Sequence, residues 1–370
     1  ALKISQCFLL WFMCSTVLFL NALQPCFAFT SFVFGDSLVD AGNNDYIFTL
    51  SKADSPPYGI DFKPSGGHPT GRFTNGRTIS DIVGQAFGAK SFPPPYLAPN
   101  TQANSILGGI NYASGASGIL DETGIGRVPL REQINNFEHS RSYMVKVMGE
   151  KTTMEFLKKA IFSVTIGSND FLNYFQPTIP VFGNGKVSPN LFQDFMVSNL
   201  TIHLKRLHLL GARKFIVVGV GPLGCIPFIR AIKLLPSGHC SAVVNELIQG
   251  YNTKLNGVLD KLNQELGPEA IFIYANSFDI FMKIIGNYHQ YGFEDANEPC
   301  CGGYFPPFIC FKSSGTNRSS ALCADRSKYV FWDAYHPTEA ANMIIAKGLI
   351  DGDESVSYPI NIRELYKYNS

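Results

Sequence analysis

Five short apolar runs, 31–34, 110–113, 160–166, 214–220 and 270–275, constrain this chain more than any other feature. Each is closed by Gly, Ser, Asn or Asp. Runs this short and this continuously apolar fit strands buried on both faces, and the small polar residues behind them turn the chain and cap the next helix. Between the runs lie helical patterns. Ile79, Ile82, Val83, Ala86 and Phe87 share one face, as do Val244, Leu247, Ile248, Tyr251, Leu255, Val258, Leu259 and Leu262. Further helices are predicted over 131–149, 192–210, 278–287 and 338–349. Strands alternating with helices predict an α/β fold, a three-layer α/β/α sandwich on a five-stranded parallel sheet. In such sheets a ligand sits beyond the carboxyl ends of the strands, so the strand ends are the place to look for chemistry. The Pro-rich stretches 55–69, 92–99, 176–189 and 299–323 have no regular period and read as loops. With no internal repeat and no linker, residues 29–370 read as a single domain.

The first 28 residues read differently. Lys3 precedes a nearly unbroken apolar run over 4–23, Pro25 breaks it, and Cys26-Phe27-Ala28 supplies small residues at the −3 and −1 positions of a cleavage site. That layout predicts a secretory signal peptide over 1–28, removed after Ala28. The rival is an uncleaved anchor, since the run approaches the ~20 residues that span a bilayer. Cysteine usage agrees with export. Cys7, Cys14 and Cys26 would leave with the signal, and six remain: Cys225, Cys240, Cys300, Cys301, Cys310 and Cys323. In an oxidising compartment an even set predicts three disulfides. Cys225 with Cys240 would close a short local loop, and the other four would staple the Pro/Gly-rich stretch around 299–328. Paired C-x-x-C spacings and a neighbouring His are missing, which argues against zinc and leaves no metal or organic cofactor expected. Asn199-Leu200-Thr201 and Asn317-Arg318-Ser319 are acceptor triplets for N-glycans in an exported chain.

Charge excludes one large class of partners. Lys and Arg total 30 against 29 Asp and Glu, a net +1, which leaves no basic footprint for nucleic acid.

The strand ends carry the candidate chemistry. The first reads Gly35-Asp36-Ser37-Leu38, placing the Ser37 hydroxyl at the crevice, where a neighbouring base could make it a nucleophile. Read alone, Asp-Ser is as good a helix cap. The second, Ala113-Ser114-Gly115-Ala116-Ser117-Gly118, is small enough for a backbone N–H to approach a ligand closely, or simply to make a tight turn. The third, Gly167-Ser168-Asn169-Asp170, offers the Asn169 amide to developing negative charge, or an N-cap to the helix behind it. Near the C-terminus, Asp333 and His336 stand three apart before Pro337. A carboxylate at that distance can hold one imidazole nitrogen and leave the other to accept a proton. His68, His139, His203, His208, His239 and His289 have no such upstream partner.

Taken together and in this order, the stretches FGDSLVDAGNN, GRFTNGRTISD, GINYASGASGI, TIGSNDF, VVGVGPLGCIP and FWDAYHPTEAAN resemble the plant-type GDSL esterase/lipases of the SGNH hydrolase superfamily, from residue 31 to about 349. The resemblance implies a flavodoxin-like SGNH hydrolase fold, with Ser37 as nucleophile, His336 as general base and Asp333 as its orienting partner. It implies an oxyanion hole of the Ser37 N–H, Gly115 and Asn169, with Gly118 close by in the same turn. Other serine hydrolases fit less well: there is no G-x-S-x-G elbow, and Ser precedes His along the chain, unlike chymotrypsin. The expectation is a secreted, extracellular or cell-wall serine esterase/lipase without a stable membrane anchor. Its substrate would be a lipid, polyester or acylated polysaccharide ester. The alternatives are an acyltransferase on the same fold, or a non-catalytic wall- or lipid-binding protein.

Overall fold

The computed structural model describes residues 29–99, 101, 105–123, 126–175, 187–302, 310 and 322–368. The expected signal segment 1–28 and Asn317 lie outside the described residues.

Four of the apolar runs form the main sheet. Strands β1 (Ser31–Gly35), β2 (Ile161–Thr165), β3 (Lys214–Val218) and β4 (Ile271–Ala275) lie side by side in chain order, all parallel. Their registers, Ser31 opposite Ile161, Ile161 opposite Lys214 and Lys214 opposite Ile271, align all four carboxyl ends. Phe32, Phe34, Phe162, Phe215 and Phe272 are fully buried along it, with Phe215 and Phe272 stacked at 4.2 Å. Helices α1 (Ile79–Ala86), α2 (Leu130–Met148), α3 (Glu150–Lys159), α4 (Ser168–Phe175), α5 (Pro189–Leu209), α6 (Pro227–Ile232), α7 (Ala242–Leu266), α8 (Ser277–Gly286), α9 (Glu339–Asp351) and α10 (Ile362–Lys367) account for the helical periods. α2, α5 and α7 pack as one layer, and α1, α8 and α9 as another. The sandwich expected from the sequence is therefore the fold.

The fifth strand is not the one expected. Residues 110–113 lie along β1, with Val33 N donating to Ile110 O (3.0 Å) and Tyr112 N to Val33 O (2.7 Å), but only Asn111 forms a bridge. Gly109, at φ +99°, bends the chain into this segment, and the other side of Asn111 is bonded to Pro94 O and Tyr96 N. A Pro-rich neighbour cannot continue a ladder. The fifth member is instead β7 (Ser357–Tyr358), antiparallel on β4. Two residues are too few to leave a periodic signal.

A second, smaller unit stands beside the sheet. Strands β5 (Asp295–Pro299) and β6 (Tyr329–Phe331) pair in parallel. Cys300 and Cys301 extend the contact by donating their N–H groups to Phe331 O and Trp332 O, at 3.0 and 2.7 Å. The cysteines pair as Cys225–Cys240, Cys300–Cys323 and Cys301–Cys310. The last two close around Ala53, Tyr58, Phe73 and Trp332 as a satellite core. Asn199 lies within α5, half-buried, its amide donating to Phe195 O at 2.9 Å. Among the described residues no helix is long and apolar enough to cross a membrane.

Candidate active site

β1 ends at Gly35, and Asp36 N still donates to Thr165 O of β2 (3.1 Å), so Ser37 leaves the sheet from a fixed point. The Asp36 carboxylate turns back to accept the Leu38 N–H at 3.0 Å. Gln133 of α2 clamps the same corner, accepting from Gly35 N (2.9 Å) and donating to Gly35 O (2.8 Å). No side chain fits at Gly35, where a Cβ would come within 2.4 Å of Thr165 O.

The C-terminal stretch comes to meet this corner. Ser37 Oγ lies 2.7 Å from His336 Nε2, across 299 residues of sequence. His336 Nδ1 faces both Asp333 carboxylate oxygens at 2.8 Å. Two acceptors at Nδ1 require that this nitrogen carry the proton, so Nε2 is left to accept one from Ser37. Asp333 is buried and also accepts from the Tyr335 and His336 backbone N–H groups, each at 2.8 Å, and from the Tyr58 hydroxyl at 2.9 Å. Burial alone would raise its pKa. The His336 imidazole and these donors overcome that and hold the carboxyl below its ordinary value. The same pairing drives the Tyr58 hydroxyl well above its usual range, first by burial and then by the Asp333 charge, so Tyr58 stays a donor. Phe73 lies against the His336 ring, centroids 5.3 Å apart.

The third group is the glycine-rich turn after residue 113. Asn169, in the first turn of α4, donates its amide to Ser117 O at 2.9 Å, which fixes the side chain and leaves a second N–H; it does not stand at the cap position. Asp170 behind it accepts from Ile119 N, Leu120 N and Thr123 Oγ1 at 2.8–3.1 Å. Gly115 departs from expectation. Its N–H is directed to Asp40 Oδ2 (2.9 Å), and the turn residue that lines the cavity is Ala116, held at φ +61°. Gly118 packs against Asp170 and Thr123, which a Cβ there would meet at 2.5 Å. Burial raises Asp40 to about 7 and Asp170 to about 6 in spite of their N–H donors. Burial likewise lifts Asp36 to about 7.

These groups open onto a cavity of about 720 Å³. Ser37, Ala116, Asn169 and His336 line it, together with Leu172, Val220, Leu223, Ile226, Phe281 and Ile345. The lining thus joins the polar groups of the site to a set of apolar side chains, suited to a reacting polar group on an apolar chain. Among the described residues no cluster of His, Cys, Asp or Glu is placed to hold a metal ion.

Sequence reasoning brought Ser37, Asn169, Asp333 and His336 to one place and missed their supports. Tyr58, Phe73, Asp40 and Gln133 come from segments whose own spacing carries no sign of the site. Asp40 and Phe73 do lie inside two of the stretches that carry the family resemblance, FGDSLVDAGNN and GRFTNGRTISD.

Comparison with known proteins adds independent evidence. Residues 32–349 match the family model described as GDSL-like Lipase/Acylhydrolase. GDSL esterase/lipase At5g41890 of Arabidopsis thaliana is 66% identical over 344 residues, covering 91% of this chain and 93% of that protein. GDSL esterase/lipase At4g16230, from the same plant, is 50% identical and covers 90% of each chain.

Proposed function

The chain belongs to the GDSL-like lipase/acylhydrolase family, whose members are carboxylic ester hydrolases, and from that premise we propose an exported serine esterase/lipase working through Ser37, His336 and Asp333. The observation that carries the reading is the continuous hydrogen-bond chain from Ser37 Oγ through His336 to Asp333 in the lining of the cavity. A serine hydroxyl becomes nucleophilic when a base takes its proton as it attacks. Ser37 would attack the ester carbonyl, His336 Nε2 would take the proton and pass it to the departing alkoxide, and Asp333 would stabilise the imidazolium. Water would then release the acyl group by the same route.

The developing oxyanion needs donors that are not already engaged. The Ser37 and Ala116 backbone N–H groups have no acceptor among the described residues, and Asn169 has one amide N–H beyond its bond to Ser117 O. We assign the oxyanion hole to these three, with Ala116 in place of Gly115. Export is supported by the 1–28 segment, by three disulfides, and by Phe29, which packs on Phe87 at 5.5 Å as the first residue behind the cleavage site.

A fluorophosphonate probe should label the purified protein on Ser37. Mapping of the label to Ser114 or Ser117 would overturn the assignment. Sequencing of exported protein should read a new N-terminus near Phe29, and retention of an unprocessed, membrane-bound chain would overturn the export reading. An added alcohol acceptor should leave free acid as the main product; an ester of that alcohol would point to acyl transfer.

A further inference from the structure

Next to the cavity, the chain does something unusual for a soluble surface. Phe48 and Leu50 are 104% and 101% exposed, and Tyr46 beside them is half exposed. Single exposed apolar residues need no explanation, but aromatic and aliphatic side chains held out together at the rim of a binding cavity do. Leu50 lines the cavity together with its chain neighbours Thr49, Ser51, Lys52, Asp54 and Ser55.

The root of the loop is fixed. Ser51 O accepts from Asn44 Nδ2 at 2.7 Å, Ser51 N donates to Thr49 Oγ1 at 3.2 Å, Lys52 Nζ donates to Asp45 O at 3.1 Å, and Arg127 reaches Ser51 Oγ at 3.1 Å. These bonds leave the Phe48 and Leu50 side chains projecting from a braced base. The same Asn44 also donates to Gly115 O (2.9 Å) and accepts from Ser114 Oγ (2.6 Å), so the loop is tied to the turn that lines the reacting end of the cavity.

We propose that the Tyr46–Phe48–Leu50 tip is an interfacial anchor that seats the cavity mouth on the surface of an aggregated neutral long-chain acyl ester, such as an acylglycerol droplet. This rests on the ester-hydrolase reading above and names the physical form of its substrate. Apolar side chains of this size gain by leaving water for an acyl phase, and a braced loop inserts without first being ordered. The charges at the rim favour a neutral surface over an anionic one. Lys52 is matched by Asp54 at 3.8 Å and interacts with the Asp45 charge, and Arg127, also in the lining, is half-buried and bonded to Ser51 Oγ, so two cations stand against two carboxylates with no excess of positive charge. Leu50 lines the same cavity as Leu172, Val220, Leu223, Ile226, Phe281 and Ile345, apolar contacts for an acyl chain drawn in from the droplet toward Ser37.

The test compares the wild type with Phe48→Ser, Phe48→Trp and Leu209→Ser. Leu209 is an equally suitable exposed apolar control, 80% exposed at the end of α5, where the chain returns toward the amino end of β3. Each protein is assayed on a soluble p-nitrophenyl acetate solution and on an emulsion of triolein, and its flotation with the droplets is measured. Phe48→Ser should lower droplet binding, and the emulsion rate relative to the soluble rate, by roughly tenfold. Phe48→Trp should restore both, and Leu209→Ser should match the wild type. Undiminished binding and emulsion hydrolysis by Phe48→Ser would overturn the anchor. So would a wild type that stays in the aqueous phase of the emulsion, whether or not anionic phospholipid vesicles, offered in a parallel flotation, take it up. A wild type that floats with droplets through Phe48 yet hydrolyses neither ester would support the anchor while sinking the hydrolase reading.

Discussion

The two halves of the site are built by different means. The nucleophile half, comprising the end of β1, the turn after residue 113 and the start of α4, hangs from the parallel sheet. It is organised by buried carboxylates that collect backbone N–H groups: Asp36 from Leu38, Asp40 from Gly42, Asn43 and Gly115, and Asp170 from Ile119 and Leu120. The base half, Trp332 to His336, sits outside the sheet on a two-stranded ribbon. Two disulfides, the satellite core and the Arg326–Asp61 pair at 2.5 and 2.8 Å hold it there. All four aspartates are buried, yet burial wins in the first half and raises the pKa, whereas the imidazole and three donors win at Asp333. The same side chain serves as a scaffold acceptor in one place and as a charge in the other. What decides is whether the imidazole hydrogen-bonds the carboxylate directly, as His336 does Asp333, since Asp36 also feels the His336 charge and is still raised.

The largest effect expected of any substitution separates the halves outright. Ser37→Ala should abolish ester turnover and probe labelling while leaving thermal stability near wild type, because the proposed mechanism gives Ser37 the chemistry and leaves the fold to its neighbours; measurable turnover in this variant would break the comparison at its root. Next, Asn169→Ala should lower kcat by ~10²–10³-fold with little change in KM. A normal kcat would leave Asn169 only its structural bond to Ser117 O.

Removing a staple probes the other half. Cys301→Ser with Cys310→Ser, which opens a loop of separation 9, should cost about 2–3 kcal/mol in the chain-entropy account. In this variant activity should disappear at denaturant concentrations where far-UV circular dichroism is still native. Coincident loss would mean that the halves are one cooperative unit. Tyr58→Phe should reduce kcat by roughly tenfold through loss of a hydrogen bond to a buried carboxylate. A drop in melting temperature with kcat unchanged would make Tyr58 a packing residue only.

The smallest expected change is one of slope. A carboxyl whose folded pKa is raised contributes stability that is fully present below its unfolded pKa, 3.8, and is lost as pH rises through the folded value, about 7 for Asp36. Asp36→Asn should therefore leave stability at pH 4 unchanged and flatten its decline between pH 4 and 7. An unchanged slope, measured by urea denaturation across that range, would show Asp36 to be charged throughout.

The sequence made the sheet readable where burial was two-sided. β1 to β4 are apolar from end to end because helices cover both faces, and that alone marks them. Residues 110–113 carry the same apolar signature for a different reason: they are buried beside β1 but bent by Gly109 and bounded by the 94–96 turn. Ser357 and Tyr358 pair with β4 through a contact too short to imprint a period. In the site, Asp333 and His336 could be read together because the relation is local. Tyr58 could not, since it reaches Asp333 from 275 residues away and its own surroundings look like any Pro-rich loop. The direction of the Gly115 N–H was not legible either, because only the folded turn reveals its bond to Asp40.

The separation of 3 residues within the Asp333–His336 pair and of 299 between His336 and Ser37 has a consequence for the life of the molecule before it is finished. The acid–imidazole pair can form as soon as its own short segment exists, but the serine stays an ordinary alcohol until nearly the whole polypeptide has emerged and closed on itself. Under the proposed mechanism activity is therefore a late event in biosynthesis, and a nascent or truncated chain would be harmless to the esters around it. A reagent that reacts only with the activated hydroxyl would report completed folding, one molecule at a time.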